Sequence, residues 1–167
     1  MFAVVLTGPP GSGKTTVLTA LQNSLVDDGV RHAAIEVEAL AWAHPPVDDE
    51  TAFRHLAGLR QTYADAGYDV VLCGATVTSD AYLEGLLRAL AAERTLVVRL
   101  EAEPATLRQR IVEREPPEWS GLPGLLDAAT EIASTSEALL DVDLVFSTER
   151  STPQAIAEQI TCRCRIA

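Results

Sequence analysis

The stretch that decides the fold is FAVVLTGPPGSGKT, residues 2–15. Its first part, Phe2–Thr7, is an apolar run of residues that favour strands. Three glycines, two prolines, a lysine and a threonine follow directly. From Lys14 onward the apolar residues recur every three or four positions, as on one face of a helix. The stretch therefore predicts a strand, a glycine-rich turn and a helix.

The turn Gly8–Thr15 matches the pattern G-x-x-x-x-G-K-[ST], the P-loop, in its required context of strand before and helix after. Its glycines accept backbone angles that other residues avoid, so its N–H groups can form an anion-binding nest at the helix N-terminus. Lys14 adds a charge for the β- and γ-phosphates, and the Thr15 hydroxyl can bind Mg²⁺. We therefore expect ATP and Mg²⁺ as cofactors. The predicted nucleotide-binding residues are Gly8, Pro9, Pro10, Gly11, Ser12, Gly13, Lys14, Thr15 and Thr16.

The rest of the chain alternates apolar strand patterns with helical patterns, which predicts an α/β fold with a parallel sheet covered on both faces. We expect one domain over residues 1–167, with a short lid at about 115–122 after the break at Pro116-Pro117. The predicted strands are Phe2–Thr7, His32–Glu38, Tyr68–Cys73, Thr95–Leu100 and Leu144–Ser147. The predicted helices are 14–28, 50–66, a helix capped by Ser79 and ending near 92, 104–114, 123–140, and a last one opening at Thr152-Pro153.

Ligands of such sheets lie beyond the carboxyl ends of the strands. At the end of the second strand, Glu36 and Glu38 are two residues apart, which places both on the same side of an extended strand. One carboxylate can accept the proton of an acceptor hydroxyl while the other orients Mg²⁺-bound water. The alternative is a pair of solvated acids, which we disfavour because acids are costly at the end of a buried strand. Trp42 and His44 follow and are candidates to line an acceptor pocket.

The third strand lacks the aspartate with which a Walker B strand ends, because its last residues are Leu72–Thr76, LCGAT. Orientation of a metal ion would then fall to Thr15 and to the Glu36 and Glu38 pair. We expect Gly74 to let substrate or phosphate approach the backbone closely.

The helix after the fourth strand carries Arg110 and Arg114, which share a helical face at a spacing of four. Arginines there can stabilise a transferring phosphoryl group or stack on a base. The alternative is an ordinary surface helix with Glu–Arg pairs. The predicted catalytic residues are Lys14, Glu36, Glu38, Arg110 and Arg114.

Composition and short motifs disfavour several classes of function. The net charge of the 167 residues is -11, which disfavours binding to nucleic acids and to anionic membranes. No apolar run is long enough to span a bilayer. Cysteines number three, and Cys73 lies in an apolar strand, which indicates a reduced, cytoplasmic chain. No N/T-K-x-D stretch supports guanine-selective recognition.

With these motifs the chain resembles the small P-loop kinases of the adenylate kinase-like group, and among them the chloramphenicol phosphotransferase-like and AAA-domain ATP-binding proteins of bacteria. The resemblance rests on GPPGSGKT, VEALAWAHP, the L-R-x-R-x-x-x-R helix and TERSTPQAIAEQI. It implies a three-layer P-loop NTPase fold, with a five-stranded sheet in the order 2-3-1-4-5 and right-handed crossovers. It also implies Glu38 as catalytic base and Glu36 as auxiliary acid, where such relatives usually carry aspartate.

We therefore expect transfer of the γ-phosphoryl group of ATP to a hydroxyl of a small molecule. Lys14 and Mg²⁺ would neutralise charge, Arg110 and Arg114 would close from the lid, and Glu38 would accept the proton. One alternative is a nucleotide-gated switch with slow hydrolysis that acts through a protein partner, which the missing Walker B acid favours. A kinase acting on nucleic-acid ends is disfavoured by the acidic composition.

Overall fold

The protein is described by a computed structural model over residues 1–136, 139 and 141–164. Its sheet has five parallel strands in the order β2-β3-β1-β4-β5. The strands are β1 Phe2–Thr7, β2 His32–Glu36, β3 Val70–Ala75, β4 Arg94–Glu101 and β5 Leu144–Ser147. The predicted α/β class and the predicted strand order are both confirmed.

Helices connect the strands and cover both faces of the sheet. They are α1 Lys14–Asp27, α2 Asp49–Asp65, α3 Asp80–Leu90, α4 Pro104–Arg114, α5 Leu122–Ser136 and α6 Pro153–Cys164. The predicted cap of α3 is present, because the Ser79 hydroxyl accepts a hydrogen bond from the Tyr82 N–H at 3.2 Å. The last positions predicted for α5, beyond 136, lie largely outside the described residues.

Successive side chains of β1 point to opposite faces of the sheet and belong to two separate apolar clusters. Val4 belongs to the cluster that α1 and α6 cover, and Val5 belongs to the one that α2 and α3 cover. Other members of the first cluster are Phe2, Leu6, Val17, Leu18, Leu21, Leu25, Leu72, Ile156 and Ile160. Other members of the second are Ala3, Leu56, Val71, Cys73, Leu83, Leu86 and Leu90. Because both faces of β1 are buried, the P-loop begins from a rigid strand.

The prediction that β2 continues to Glu38 is wrong. The pairing of β2 with β3 stops at Glu36, which lies opposite Gly74. The next residues, Val37–Ala41, form a 3₁₀ turn, and the Val37 side chain is buried in the second cluster. Because this valine is buried, the chain leaves the edge of the sheet after Glu36 and continues toward α2.

The segment between α4 and α5, where a lid is predicted, is a succession of tight turns. The Trp119 N–H donates to the Pro116 carbonyl and the Leu122 N–H donates to the Trp119 carbonyl, both at 3.0 Å. The two helices that it joins pack against each other. Among the helices of the described ranges, none has both the length and the apolar character needed to cross a bilayer.

Candidate active site

The P-loop backbone leaves no room for side chains at two of its glycines. Gly8, Gly11 and Gly13 have φ angles of 146°, 82° and 92°. A Cβ on Gly8 would overlap the carbonyl oxygen of Leu100 in β4, and one on Gly11 would lie 2.8 Å from the Leu107 carbonyl oxygen in α4. Residues that carry a side chain rarely adopt such φ angles. Both the backbone conformation and the lack of space therefore require glycine at positions 8 and 11.

Lys14 closes the P-loop on itself. Its Nζ donates to the Gly8 carbonyl at 2.8 Å and to the Pro9 carbonyl at 3.3 Å. The Ser12 N–H donates to the Pro9 carbonyl at 3.1 Å, while the buried Ser12 hydroxyl has no hydrogen-bond partner among the described residues. Thr15 and Thr16 are exposed at the start of α1. The loop thus keeps one buried hydroxyl, that of Ser12, to which a bound ligand could hydrogen-bond.

Burial lowers the pKa of the Lys14 ammonium, and two carboxylates oppose that effect. Glu38 and Glu36 both raise this pKa, whereas the nearby charge of Arg114 lowers it further. The desolvation disfavours the charged form because the half-buried ammonium loses water. The negative charge of a polyphosphate bound next to Lys14 would stabilise the charged ammonium and so offset the effect of burial.

Glu36 lies over Gly74 on the neighbouring strand. A Cβ on Gly74 would lie 2.6 Å from Glu36 Oε2. Glu36 Oε1 is buried and has no hydrogen-bond partner among the residues described. The prediction that Gly74 admits substrate or phosphate is therefore wrong, because the space above it holds this carboxylate. The acid missing from the end of β3 is thus present at the same place, contributed by β2.

Glu38 is oriented by the backbone that follows β3. Its Oε1 accepts a hydrogen bond from the Thr76 N–H at 2.6 Å. The 3₁₀ turn, rather than an extended strand, brings Glu38 to this position. Its charge acts on the half-buried Tyr82, whose pKa is raised to about 12 by burial first and then by Glu38 and Asp49.

One cavity of about 500 Å³ connects the P-loop with the end of β2. It brings together four of the five predicted catalytic residues, Lys14, Glu36, Glu38 and Arg114. Trp42 lines it with its side chain 83% exposed, whereas His44 is exposed and is not among its lining residues as described. The lining residues are Pro10, Gly11, Gly13, Lys14, Thr15, Thr16, Glu36, Glu38, Ala39, Trp42, Thr76, Arg114 and Glu115.

Arg110, the fifth predicted catalytic residue, has different partners. Its guanidinium donates to the Gly11 carbonyl at 3.2 Å and to the Thr148 hydroxyl and carbonyl at 2.9 and 3.2 Å. It therefore fastens the P-loop to the loop after β5. Arg114, one turn later, is mostly exposed and pairs with Glu115 through an N–O distance of 2.7 Å.

A second link between α4 and the loop after β5 was not predicted from the sequence. The Glu149 carboxylate accepts hydrogen bonds from the Thr106 hydroxyl and from the Glu103 N–H. These bonds, the Thr106 one first, lower the pKa of Glu149. A carboxylate at a helix N-terminus is stabilised by the unpaired N–H groups there. No local pattern signals it, because its partners lie more than forty positions away.

The residues of the cavity fit a magnesium ion bound together with phosphates. Among the residues that are described, no group of three or more histidine, cysteine or acidic side chains could hold a metal alone. Mg²⁺ in nucleotide sites, however, takes only one or two protein oxygens and completes its shell with phosphates and water. The exposed Thr15 hydroxyl and the unpartnered Glu36 Oε1 offer oxygens of that kind.

The sequence profile of the AAA domain family matches residues 4–123, which is more than half of the chain. The chain belongs to the AAA domain family. The matched part of this AAA domain includes most of β1, the P-loop, Glu36, Glu38, Arg110 and Arg114. No curated protein matches it by sequence.

Solved structures similar to this AAA domain include three proteins named as kinases. A sugar kinase from Janibacter sp., unliganded, is 23% identical, with a TM-score of 0.72 over 100% of this chain and 96% of that one. The APS kinase of Mycobacterium tuberculosis, in complex with AMPPNP and APS, is 19% identical, with a TM-score of 0.70 over 98% and 97%. A gluconokinase from Sinorhizobium meliloti is 18% identical, with a TM-score of 0.62 over 96% and 96%. The resemblance to small P-loop kinases is confirmed at the level of the fold.

Proposed function

We propose that this protein is a kinase that transfers the γ-phosphoryl group of ATP to a hydroxyl of a small molecule. The observation that carries the proposal is the single cavity lined by Lys14 and Thr15 on one side and by Glu36 and Glu38 on the other. Phosphoryl transfer to an alcohol requires residues that bind the phosphates and a group that accepts the hydroxyl proton, and this cavity contains both kinds of residue.

In the proposed reaction the acceptor oxygen attacks the γ-phosphorus. A new P–O bond forms, the bond to the oxygen that bridges the β- and γ-phosphates breaks, and ADP leaves with that electron pair. The hydroxyl proton passes to Glu38, whose Oε1 the Thr76 N–H holds in place. Lys14 exchanges its bonds to P-loop carbonyls for bonds to phosphate oxygens, and stabilises the charge that develops on the leaving group.

Thr15 and Glu36 are the residues that would hold Mg²⁺, directly or through water. When bound, the ion neutralises negative charge on the β- and γ-phosphates. Glu36 would then serve in place of the acid that β3 lacks. Its position over Gly74 supports an enzyme rather than a switch, since the apparent gap at the end of β3 is filled.

Arg110 and Arg114 of α4 would have separate tasks. Arg114 lines the cavity and, after release from the partly buried Glu115, can reach a transferring phosphoryl group. Arg110 is occupied at Gly11 and Thr148, so its main task would be to hold the P-loop against the loop after β5.

A pair of variants tests the proposal. Lys14→Ala should weaken binding of ATP with Mg²⁺ at least about tenfold and abolish transfer. Glu38→Gln can still accept from the Thr76 N–H, so ATP affinity should persist while transfer falls by about 10²–10⁴-fold. Glu158→Gln, exposed on α6, is the matched control. The measurements are calorimetry with ATP and release of ADP with and without a pool of metabolites.

Each part of the proposal has its own contrary result. Full transfer by Glu38→Gln would remove the base assignment. Slow turnover that metabolites do not stimulate would indicate the nucleotide switch instead. A wild-type protein that binds neither adenine nor guanine triphosphates would refute the nucleotide site itself.

A further inference from the structure

The acceptor side of the cavity carries negative charge. Glu36 and Glu38 both line the cavity at the end of β2. Asp49 opens α2, and its charge, like that of Glu38, acts on the side chain of Tyr82. Glu36 and Glu38 thus line the cavity itself, whereas Asp49 adds negative charge near Tyr82, outside the lining residues as described.

The positive charges that line the cavity belong to its phosphate side. Lys14 is bonded to carbonyls of the P-loop, and Arg114 is paired with Glu115. A bound nucleotide would draw both cations to its own phosphates. Arg54 on α2 donates to the Thr51 hydroxyl at 2.8 Å and is not among the lining residues as described. An anionic group on the acceptor would face the carboxylates without a counter-ion, which is unfavourable in a partly desolvated site.

Trp42 offers an apolar surface at the same place. It follows the 3₁₀ turn, and its N–H donates to the Ala39 carbonyl at 3.3 Å. Its side chain is 83% exposed, the largest exposed fraction among the large apolar side chains described. An indole face stacks on rings and attracts cations. An exposed indole next to two carboxylates favours a ligand with a ring and with hydroxyl or ammonium groups.

We propose that the acceptor is an uncharged or cationic alcohol whose ring stacks on Trp42, and that alcohols bearing a carboxylate or phosphate are rejected. This inference rests on the proposed kinase function and specifies the substrate class of the same cavity. Glu38 and Glu36 accept hydrogen bonds from the hydroxyl groups, while Trp42 supplies contact area. The carboxylates thus repel anionic acceptors, and the indole binds the ring of an uncharged or cationic one.

The first experiment separates a metabolite extract by charge on ion exchangers. The wild-type protein receives ATP labelled in its γ-phosphate together with the anionic, the neutral or the cationic fraction. Labelled product is expected from the neutral or the cationic fraction. Product from the anionic fraction alone would overturn this inference and leave the proposed kinase standing. Absence of product from every fraction, with ATP still bound in calorimetry, would refute both.

The second experiment uses the acceptor isolated from the active fraction. Trp42→Ala should raise the KM for that acceptor about tenfold, which corresponds to the loss of one ring contact. The KM for ATP should stay unchanged, and Trp42→Phe should restore much of the loss. Val26→Ala, another exposed apolar residue, on α1, is the control. An unchanged acceptor KM in Trp42→Ala would overturn the role of the indole.

Discussion

Gly74 and Glu36 occupy neighbouring strands, and the missing side chain of one makes room for the carboxylate of the other. On the proposed function, the Glu36 carboxylate takes the place of the acid that the end of β3 lacks. The obstacle that a Cβ would meet is the end of a flexible side chain, not backbone. Replacement of Gly74 should therefore affect chemistry more than stability.

We expect Gly74→Ala to lower kcat about 10²-fold, because displacement of Glu36 by an ångström misplaces its carboxylate. The free energy of unfolding should change by less than about 1 kcal/mol. Gly58→Ala is the control, since a Cβ there meets nothing within 4 Å. That helical glycine should gain about 0.5–1 kcal/mol as alanine, with kcat unaltered. Steady-state kinetics and urea unfolding measure both. Wild-type kcat in Gly74→Ala would refute a role for Glu36.

Arg110→Ala should lower the free energy of unfolding by about 1.5–3 kcal/mol, the usual value of hydrogen bonds to a charged group. The variant loses the bonds to the Gly11 carbonyl and to Thr148, so ATP affinity should fall as well. Arg110→Lys should not restore it, because an ammonium cannot reproduce the guanidinium fork. The exposed Arg108, changed to alanine, is the control. Equal free energies of unfolding of Arg110→Ala and Arg108→Ala in urea titrations would contradict the role of Arg110.

Among the elements, periodic patterns were predicted well and tertiary contacts were not. The buried face of α1, with Leu21 at its centre, follows from helical spacing alone. The end of β2 could not be predicted, because the burial of Val37 against α2 and α3 overrides the strand pattern. The two carboxylates therefore reach one cavity by a route other than the expected one. The links made by Arg110 and Glu149 join distant positions, and no spacing in the sequence indicates them.

Helix α4 is tied to the loop after β5 by Glu149, which predicts a dependence on pH. The folded pKa of this carboxyl is lowered, so its stabilisation is present above the ordinary glutamate pKa of about 4.3 and is lost as the pH falls through the folded value. Wild type should be more stable than Glu149→Gln at pH 7, and the difference should vanish in acid. Urea unfolding at several pH values measures it. A difference that is constant down to pH 2 would contradict the assignment.

At the scale of the whole molecule, the two apolar clusters share β1 and should unfold together. Leu21→Ala in one cluster and Leu86→Ala in the other should each lower the free energy of unfolding by about 2–5 kcal/mol. Each variant should show one transition, and Val26→Ala, 65% exposed, should change little.

Cys73 is an internal probe of that cooperativity. Its thiol is buried, and burial raises its pKa to about 12. With Cys162 and Cys164 changed to serine, labelling of Cys73 by a thiol reagent should follow global unfolding in both leucine variants. Rapid labelling in Leu86→Ala without loss of helical signal would show that the two faces open separately.

The 3₁₀ turn and α2 fall within one uninterrupted stretch, residues 37–65, and this stretch packs mainly on α3 and the end of β3. The P-loop and α4 lie in other parts of the chain. On the proposed function, this stretch carries Glu38 and Trp42, so exchange of positions 37–65 with those of a relative should change the preferred acceptor and leave ATP affinity unaltered.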